Sequence, residues 1–277
     1  MTGFTRNIGG GDGTRSAARS GGRGGAKPSF AARACRGAAA AVFCALAALA
    51  LGACSGRLET TIRNDLSARI ALRLDVPELL GSRVRQIGGI PAKAALFDVA
   101  GLKEEFANRS SIFLVDVSAP SADSLTSVIW VPDIEAFAGD RSLIPEGMVS
   151  LKKIPAAGAQ PAQRELSVSL TRANAASAFA LFPGVDGKLL DSLSPPALEK
   201  DPVTTEEYRM NLETVIIGKK SMPAFDACAL EFNVTAPRTI LGSSGGTAQG
   251  QVFKAKIPLF DLLTLEKPIR FSLRWAD

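Results

Sequence analysis

Thiols and carboxylates, with no imidazole beside them, define the chemistry open to this chain. Its 277 residues include four cysteines and no histidine. Ser-His-Asp and Cys-His nucleophilic pairs are therefore excluded, as is any zinc site that uses histidine. Acid–base work would fall to Asp, Glu, Lys or the single Tyr, and metal binding to clustered oxygen ligands. The nearest acidic pair, Glu206-Glu207, has a better local explanation as part of a helix cap. The expectation is a protein that is not an enzyme, with no cofactor and no metal. Of the thiols, Cys54 closes the run Leu51-Gly52-Ala53-Cys54 and Cys228 stands on the apolar side of an alternating segment. A buried structural thiol is the reading for Cys228.

What precedes Cys54 reads as a secretory leader. Arg33 and Arg36 form a basic flank, Ala38 to Leu51 an apolar core of 14 residues, and Gly52-Ala53 a small-residue site. An apolar core of that length falls short of the roughly 20 residues a spanning helix needs, and the three parts together make a signal peptide. The run ending at Cys54 resembles a bacterial lipoprotein box. That resemblance implies cleavage between Ala53 and Cys54 and a lipid on Cys54. With Cys35 and Cys44 in the leader and Cys54 acylated, only Cys228 remains, and no internal disulfide framework is expected. The protein would then be held in the cell envelope, on the non-cytoplasmic side of a bacterial membrane, periplasmic or at the surface. Two other readings stay open: an ordinary signal peptide with a cysteine of no consequence, or one short anchor helix. Residues 1–30 are Gly/Ser/Arg-rich without hydrophobic period and are expected to be disordered. The division is thus residues 1–53, a signal peptide with a long disordered basic n-region, and residues 54–277, an envelope domain. The glycines from Gly9 to Gly13 are no phosphate loop, since no strand precedes them and no helix follows.

Charge changes meaning with that cut. The whole chain carries +5, but residues 1–53 hold seven Lys/Arg against one Asp. The remainder has 25 basic and 26 acidic residues, a net of −1. No basic run with interleaved aromatics remains in it, so nucleic acid is not an expected partner.

The elements behind these residues are mostly short alternating strands. Leu58, Thr60 and Ile62 alternate with charged neighbours, and Ala68, Ile70, Leu72 and Leu74 repeat the pattern after Asn64-Asp65, which predicts a hairpin with one buried face. Ser111–Val117 with Leu125–Val131, and Met148–Ile154 with Glu165–Thr171, predict two more. Cys228–Val234, Val252–Ile257 and Ile269–Trp275 complete the set. Gly242–Gly246 is read as a flexible hairpin loop. Helices interrupt rather than alternate. The clearest covers Thr205–Ile217, with a capping box at Thr204 and Glu207, an apolar face of Tyr208, Leu212, Val215 and Ile216, and Gly218 as its stop. Others are expected after Asp98 (Val99, Leu102, Phe106), around Arg172–Leu181, and as short turns at Gly187–Leu193 and Leu259–Leu263. The predicted fold is α+β: a twisted, mainly antiparallel sheet of about eight strands with several covering helices.

Between residues 172 and 202 the chain turns to short apolar pieces and prolines. Phe179, Phe182, Leu189, Leu190 and Leu193 either form a lid over a cavity for an apolar ligand, or complete the core beneath a long loop. Both readings stand at this level.

The order of elements carries a second resemblance. A cysteine is followed by a charged hairpin (Leu58 to Leu74), a helix, a hairpin reaching Ile129-Trp130, a helical middle and a closing strand pair. Val252-Phe253-Lys254-Ala255-Lys256-Ile257-Pro258-Leu259 and Ile269-Arg270-Phe271-Ser272-Leu273-Arg274-Trp275 are its closest echoes. In this the chain is similar to the LppM-like domain family of secreted bacterial lipoproteins, with Asn64-Asp65-Leu66-Ser67 where the family has a Gly-rich turn. The resemblance implies an envelope-tethered α+β domain able to accommodate lipid, and it transfers no functional residue. The expected function is a lipid-anchored envelope lipoprotein that binds a lipid or other apolar ligand. The alternative is an interaction or assembly lipoprotein that docks on an envelope protein partner.

Overall fold

The computed structural model describes residues 55–107, 109, 111–158, 161–180 and 193–277. Ala53 and Cys54, and Phe182, Leu189 and Leu190 of the apolar segment, lie outside the described residues. Those described fall in one compact unit, Leu49–Asp277. Among them are eleven strands and seven α-helices, so the fold is α+β.

The first hairpin forms where alternation requires it. β1 (Ser55–Ile62) and β2 (Ala68–Asp75) pair antiparallel over their full length, Ser55 opposite Asp75. Asp65 holds the turn: its carboxylate accepts from the Ser67 backbone N–H at 3.0 Å and from the Ser67 hydroxyl at 2.7 Å. β3 (Phe113–Ser118) and β4 (Ser124–Val131) form the second hairpin, and β4 pairs with β2. β5 (Val149–Ile154) and β6 (Gln163–Leu170) form the third. β7 (Ala229–Thr235), β10 (Val252–Pro258) and β11 (Ile269–Ala276) stand where their alternation predicts.

The strands divide between two sheets instead of sharing one. The larger sheet has the order β3-β4-β2-β1-β7-β10-β9, and the smaller β5-β6-β11-β8. All neighbours are antiparallel except β1 and β7, which run parallel. The apolar faces of the two sheets meet in a core that joins Ile62, Val131 and Phe253 to Leu166, Phe271, Leu273 and Trp275. Periodicity reports that one face of a strand is buried but not what buries it, which is why a single helix-covered sheet was the expectation.

The Gly242–Gly246 stretch is not a hairpin loop. β8 (Ile240–Ser244) runs through its first half and pairs with β11, whereas β9 (Thr247–Gln249) pairs with β10 in the other sheet. Gly245-Gly246 is therefore the step from one sheet to the other. A Cβ on Gly246 would lie 2.5 Å from the Lys254 carbonyl oxygen, and Gly245 has φ +71. Only glycine lets the backbone through so close a crossing.

Seven helices fill the ends and flanks: α1 (Glu78–Gly88), α2 (Val99–Ala107), α3 (Ile134–Gly139), α4 (Arg172–Ala180), α5 (Thr205–Asn211), α6 (Met222–Asp226) and α7 (Leu259–Thr264). The Asp98 carboxylate caps α2 by accepting from the N–H groups of Ala100 and Gly101, and Leu102 and Phe106 are buried as expected. α5 carries the predicted capping box. Its second half departs from the prediction. Residues Leu212–Ile216 form a π-turn closed by the Ile217 N–H on the Leu212 carbonyl at 2.7 Å. The wider turn carries the buried stripe from Tyr208 and Leu212 to Ile217, and leaves Val215, expected inside, 75% exposed. Tyr208, Leu212 and Ile217 join Leu80, Met222, Phe225, Cys228, Phe260 and Leu263 in a second apolar cluster. Cys228 is buried there, its Sγ 3.2 Å from the Ala224 carbonyl oxygen.

Candidate functional site: an apolar cavity between the two sheets

Cross-strand register sets the large sheet's inner face in rows. One row runs Ala255, Phe232, Leu58, Leu72 and Ser127; the next runs Phe253, Val234, Thr60, Ile70 and Ile129. Against them the small sheet presents Val168 and Leu170 of β6 and Ile269 and Phe271 of β11. Toward one end the two faces interdigitate: Leu273 and Trp275 are completely buried, and Phe271 stacks on Phe253 with centroids 5.4 Å apart. Over the middle they stand apart. Leu58, Ile70, Ile129, Phe232 and Val168 point inward yet remain half-buried.

The space they leave is a cavity of about 270 Å³, walled by both sheets and lined at its margin by Leu102 and Phe106 of α2 and Phe137 of α3. Its lining is apolar apart from two hydroxyls. Ser127 and Thr60 face it from the large sheet, and neither hydroxyl has a hydrogen-bond partner among the described residues. Ser127 is only 7% exposed as a residue, and the surface its hydroxyl keeps faces the cavity. Ligand cavities run from about 300 to 1,000 Å³ and are mostly apolar with a few placed polar groups. This one sits at the lower edge of that range and has that chemistry.

Of the apolar segment singled out in sequence, Phe179 and Leu193 are described. Both pack against the second cluster, and the Leu193 carbonyl accepts the Tyr208 hydroxyl at 2.8 Å. Neither lines the cavity; Ala178, one residue away, does. The cavity's own residues come from the strands, where alternation marked them as inward-facing without showing that the space between the sheets is hollow.

No family model matches the chain, and neither does any curated protein. Among solved structures, the chain is similar to the folded domain of LppM from Mycobacterium tuberculosis, determined by NMR. The likeness covers 81% of this chain and 91% of that one, at 9% sequence identity and a TM-score of 0.31.

Several titratable groups are engaged in structure. The Glu207 carboxylate accepts from the backbone N–H of Thr204 at 3.0 Å and from its hydroxyl at 2.8 Å, and those bonds hold its pKa below the ordinary value. Glu266 does the same for Thr205, with the same consequence. Burial pushes the Tyr208 phenol upward, so it stays neutral. Among the described residues, no three His, Cys, Asp or Glu side chains gather where they could hold a metal ion. None of their helices is long and apolar enough to cross a membrane. The outer face of the large sheet carries a polar trough, where Arg57 meets Glu231 at 3.1 Å. What the inner arrangement can do is take up an apolar chain and offer it two hydroxyls.

Proposed function

We propose that the domain is a membrane-tethered, non-enzymatic carrier that holds one apolar or amphipathic chain, such as a lipid acyl chain, between its two sheets. The observation that carries this reading is the cavity and its size. Its 270 Å³ leaves apolar side chains of both sheets without packing partners on one side. An apolar chain in that space would supply the missing contacts. The address comes from the sequence: the apolar core ending in Leu51-Gly52-Ala53-Cys54 supports a lipid on Cys54 and a place on the non-cytoplasmic face of a bacterial membrane. Several acyl chains on one cysteine make a durable tether, where one would hold only marginally.

The test is native mass spectrometry and lipid extraction of the full chain purified from membranes, alongside a Cys54→Ala variant. The expected result is about one bound lipid per protein and an acylated residue 54 in the parent alone. A protein that carries no lipid, and takes none up from a fatty-acid or phospholipid mixture, would sink the carrier reading.

Edge strand β3 favours a second reading, docking on an envelope protein. Phe113 and Val115 are 51% and 64% exposed there, and one side of the strand is unpaired. Crosslinking in cells that returned no reproducible partner through β3 would count against it.

A further inference from the structure

We infer that the end of the domain where β1 begins is a face that lies on an anionic lipid surface. Ser55, the first residue of β1, pairs with Asp75 at the end of β2 and with Ala229 at the start of β7. The chain therefore enters the fold, directly after Cys54, at the end of the sheet from which α1, α6 and α7 depart. α5 packs on that same helical cap: Tyr208 meets Phe260 edge to face at 6.1 Å, and Arg209 binds Asp226 at 2.8 Å. α1 joins it where Arg83 Nε donates to the Ile216 carbonyl at 2.8 Å.

This cap exposes apolar side chains that packing does not explain. Leu79, Met210 and Val215 are 45%, 54% and 75% exposed. Leu79 lies one turn from Arg83 on the same side of α1. Met210 and Val215 share a side of α5 because the π-turn shifts the exposed stripe by five residues, as it shifts the buried one from Leu212 to Ile217. Lys219 and Lys220 stand exposed in the turn that follows. Scattered exposed apolar residues need no account, whereas a group of them on one end of a domain marks an interaction site. An apolar group with a flank of lysines is how a surface lies at the boundary of headgroups and acyl chains, the lysines reaching anionic lipid. The point where the chain enters the fold selects a bilayer as occupant over a protein partner. This inference rests on the tether of the proposed function.

A fluorophore at Val215→Cys tests it against one at Leu241→Cys in the protein extracted from membranes, where an acylated Cys54 takes no label and Cys228 is buried. Leu241 is also exposed. It lies on β8, whose Ile240 N–H binds the Gly250 carbonyl at the far end of the sheet, about 24 Å away along the eight residues of β1. In vesicles of phosphatidylcholine and phosphatidylglycerol in equal parts, brominated lipid should quench the label at 215 several-fold more than that at 241. Lys219→Glu with Lys220→Glu should remove most of the difference. Equal quenching at both positions in vesicle-bound protein would overturn the face and leave the tether standing. Protein that does not bind vesicles at all would overturn the tether, and this inference with it.

Discussion

Arg85 of α1 and Asp123, at the mouth of β4, meet at 2.7 Å with the guanidinium only 5% exposed. Arg85 also donates to the carbonyls of Ala94 at 2.7 Å and Ala122 at 3.0 Å, so one side chain joins the helix, the 89–97 loop and the second hairpin. Asp123 Oδ1 accepts no aligned hydrogen bond, so its hold on Arg85 is chiefly coulombic. Gly81, one turn earlier, makes the room: a Cβ there would overlap the Asp123 carboxylate.

Removing one partner of a buried pair leaves an uncompensated charge and costs about 3–5 kcal/mol. Asp123 keeps some exposure here, so Arg85→Ala should fall at the lower end, and Asp123→Ala should destabilise as well. Gly81→Ala should lower stability without touching either charge, by forcing the carboxylate aside. Urea unfolding of the three variants checks this. An Arg85→Ala midpoint equal to the parent's would show the pair to be ornamental.

Much of this fold is legible in the sequence, for a physical reason. Leu58-Thr60-Ile62 and Leu166-Val168-Leu170 alternate cleanly, and Thr204 with Glu207 has the spacing of a cap, so local rules place them. Pairings between distant segments are not local. Arg57 and Glu231, neighbours across the parallel β1–β7 pair, are 174 residues apart. The π-turn after α5 hides because Tyr208, Leu212, Val215 and Ile216 satisfy a 3.6-residue period, and only the backbone reveals that Ile217 goes inside. The cavity is the least legible feature. The same alternation writes a filled core at Leu273 and Trp275 and a hollow one at Leu58 and Ile70. The apolar segment at 179–193 drew attention by composition, yet Phe179 and Leu193 found the second cluster instead.

Ser127 separates a site from a packing accident. Its hydroxyl faces the cavity and, among the described residues, forms no bond that holds the fold. Ser127→Ala should therefore leave the stability of lipid-free protein within about 0.5 kcal/mol of the parent and weaken retention of a chain that bears an ester or hydroxyl. Val168→Phe should fill part of the 270 Å³ and reduce lipid uptake while leaving the protein folded. Thermal melts with and without added lipid read both effects. A Ser127→Ala protein less stable than the parent would show that the hydroxyl has structural work to do.

Acid should loosen the start of α5. Glu207 and Glu266 both have folded pKa values below their ordinary 4.5, each through bonds from the neighbouring threonine. A depressed carboxylate contributes stability that is present above the unfolded pKa and lost as pH falls through the folded one. The loss should thus begin below about pH 4.5 and grow downward, not appear at neutral pH. Glu207→Gln with Glu266→Gln should lower stability at pH 7 and flatten that acid limb. Denaturation midpoints measured at steps from pH 7 to pH 3 decide it, and a double variant with an unchanged acid limb would remove these two groups from the account.

The step between sheets at Gly245-Gly246 should tolerate no side chain. Gly245 and Gly250 share a positive φ, +71 and +60, but differ in surroundings: a Cβ on Gly250 meets nothing within 4 Å, whereas one on Gly245 would strike the Arg270 backbone. Gly250→Ala then isolates the conformational cost, about 1–2 kcal/mol for an L-residue in the left-handed region. Gly245→Ala carries that cost plus a backbone clash. Gly246→Ala carries a clash alone, 2.5 Å from Phe253 Cζ and the Lys254 oxygen. Both should destabilise more than Gly250→Ala, and both should loosen β8 and β9 first, seen as faster amide exchange at Ile240–Gln249. The strain would then travel inward, since Phe253 stacks on Phe271 across the space between the sheets. If all three variants unfold at the same denaturant concentration, the crossing is looser than the geometry states, and the two sheets are joined there by sequence alone.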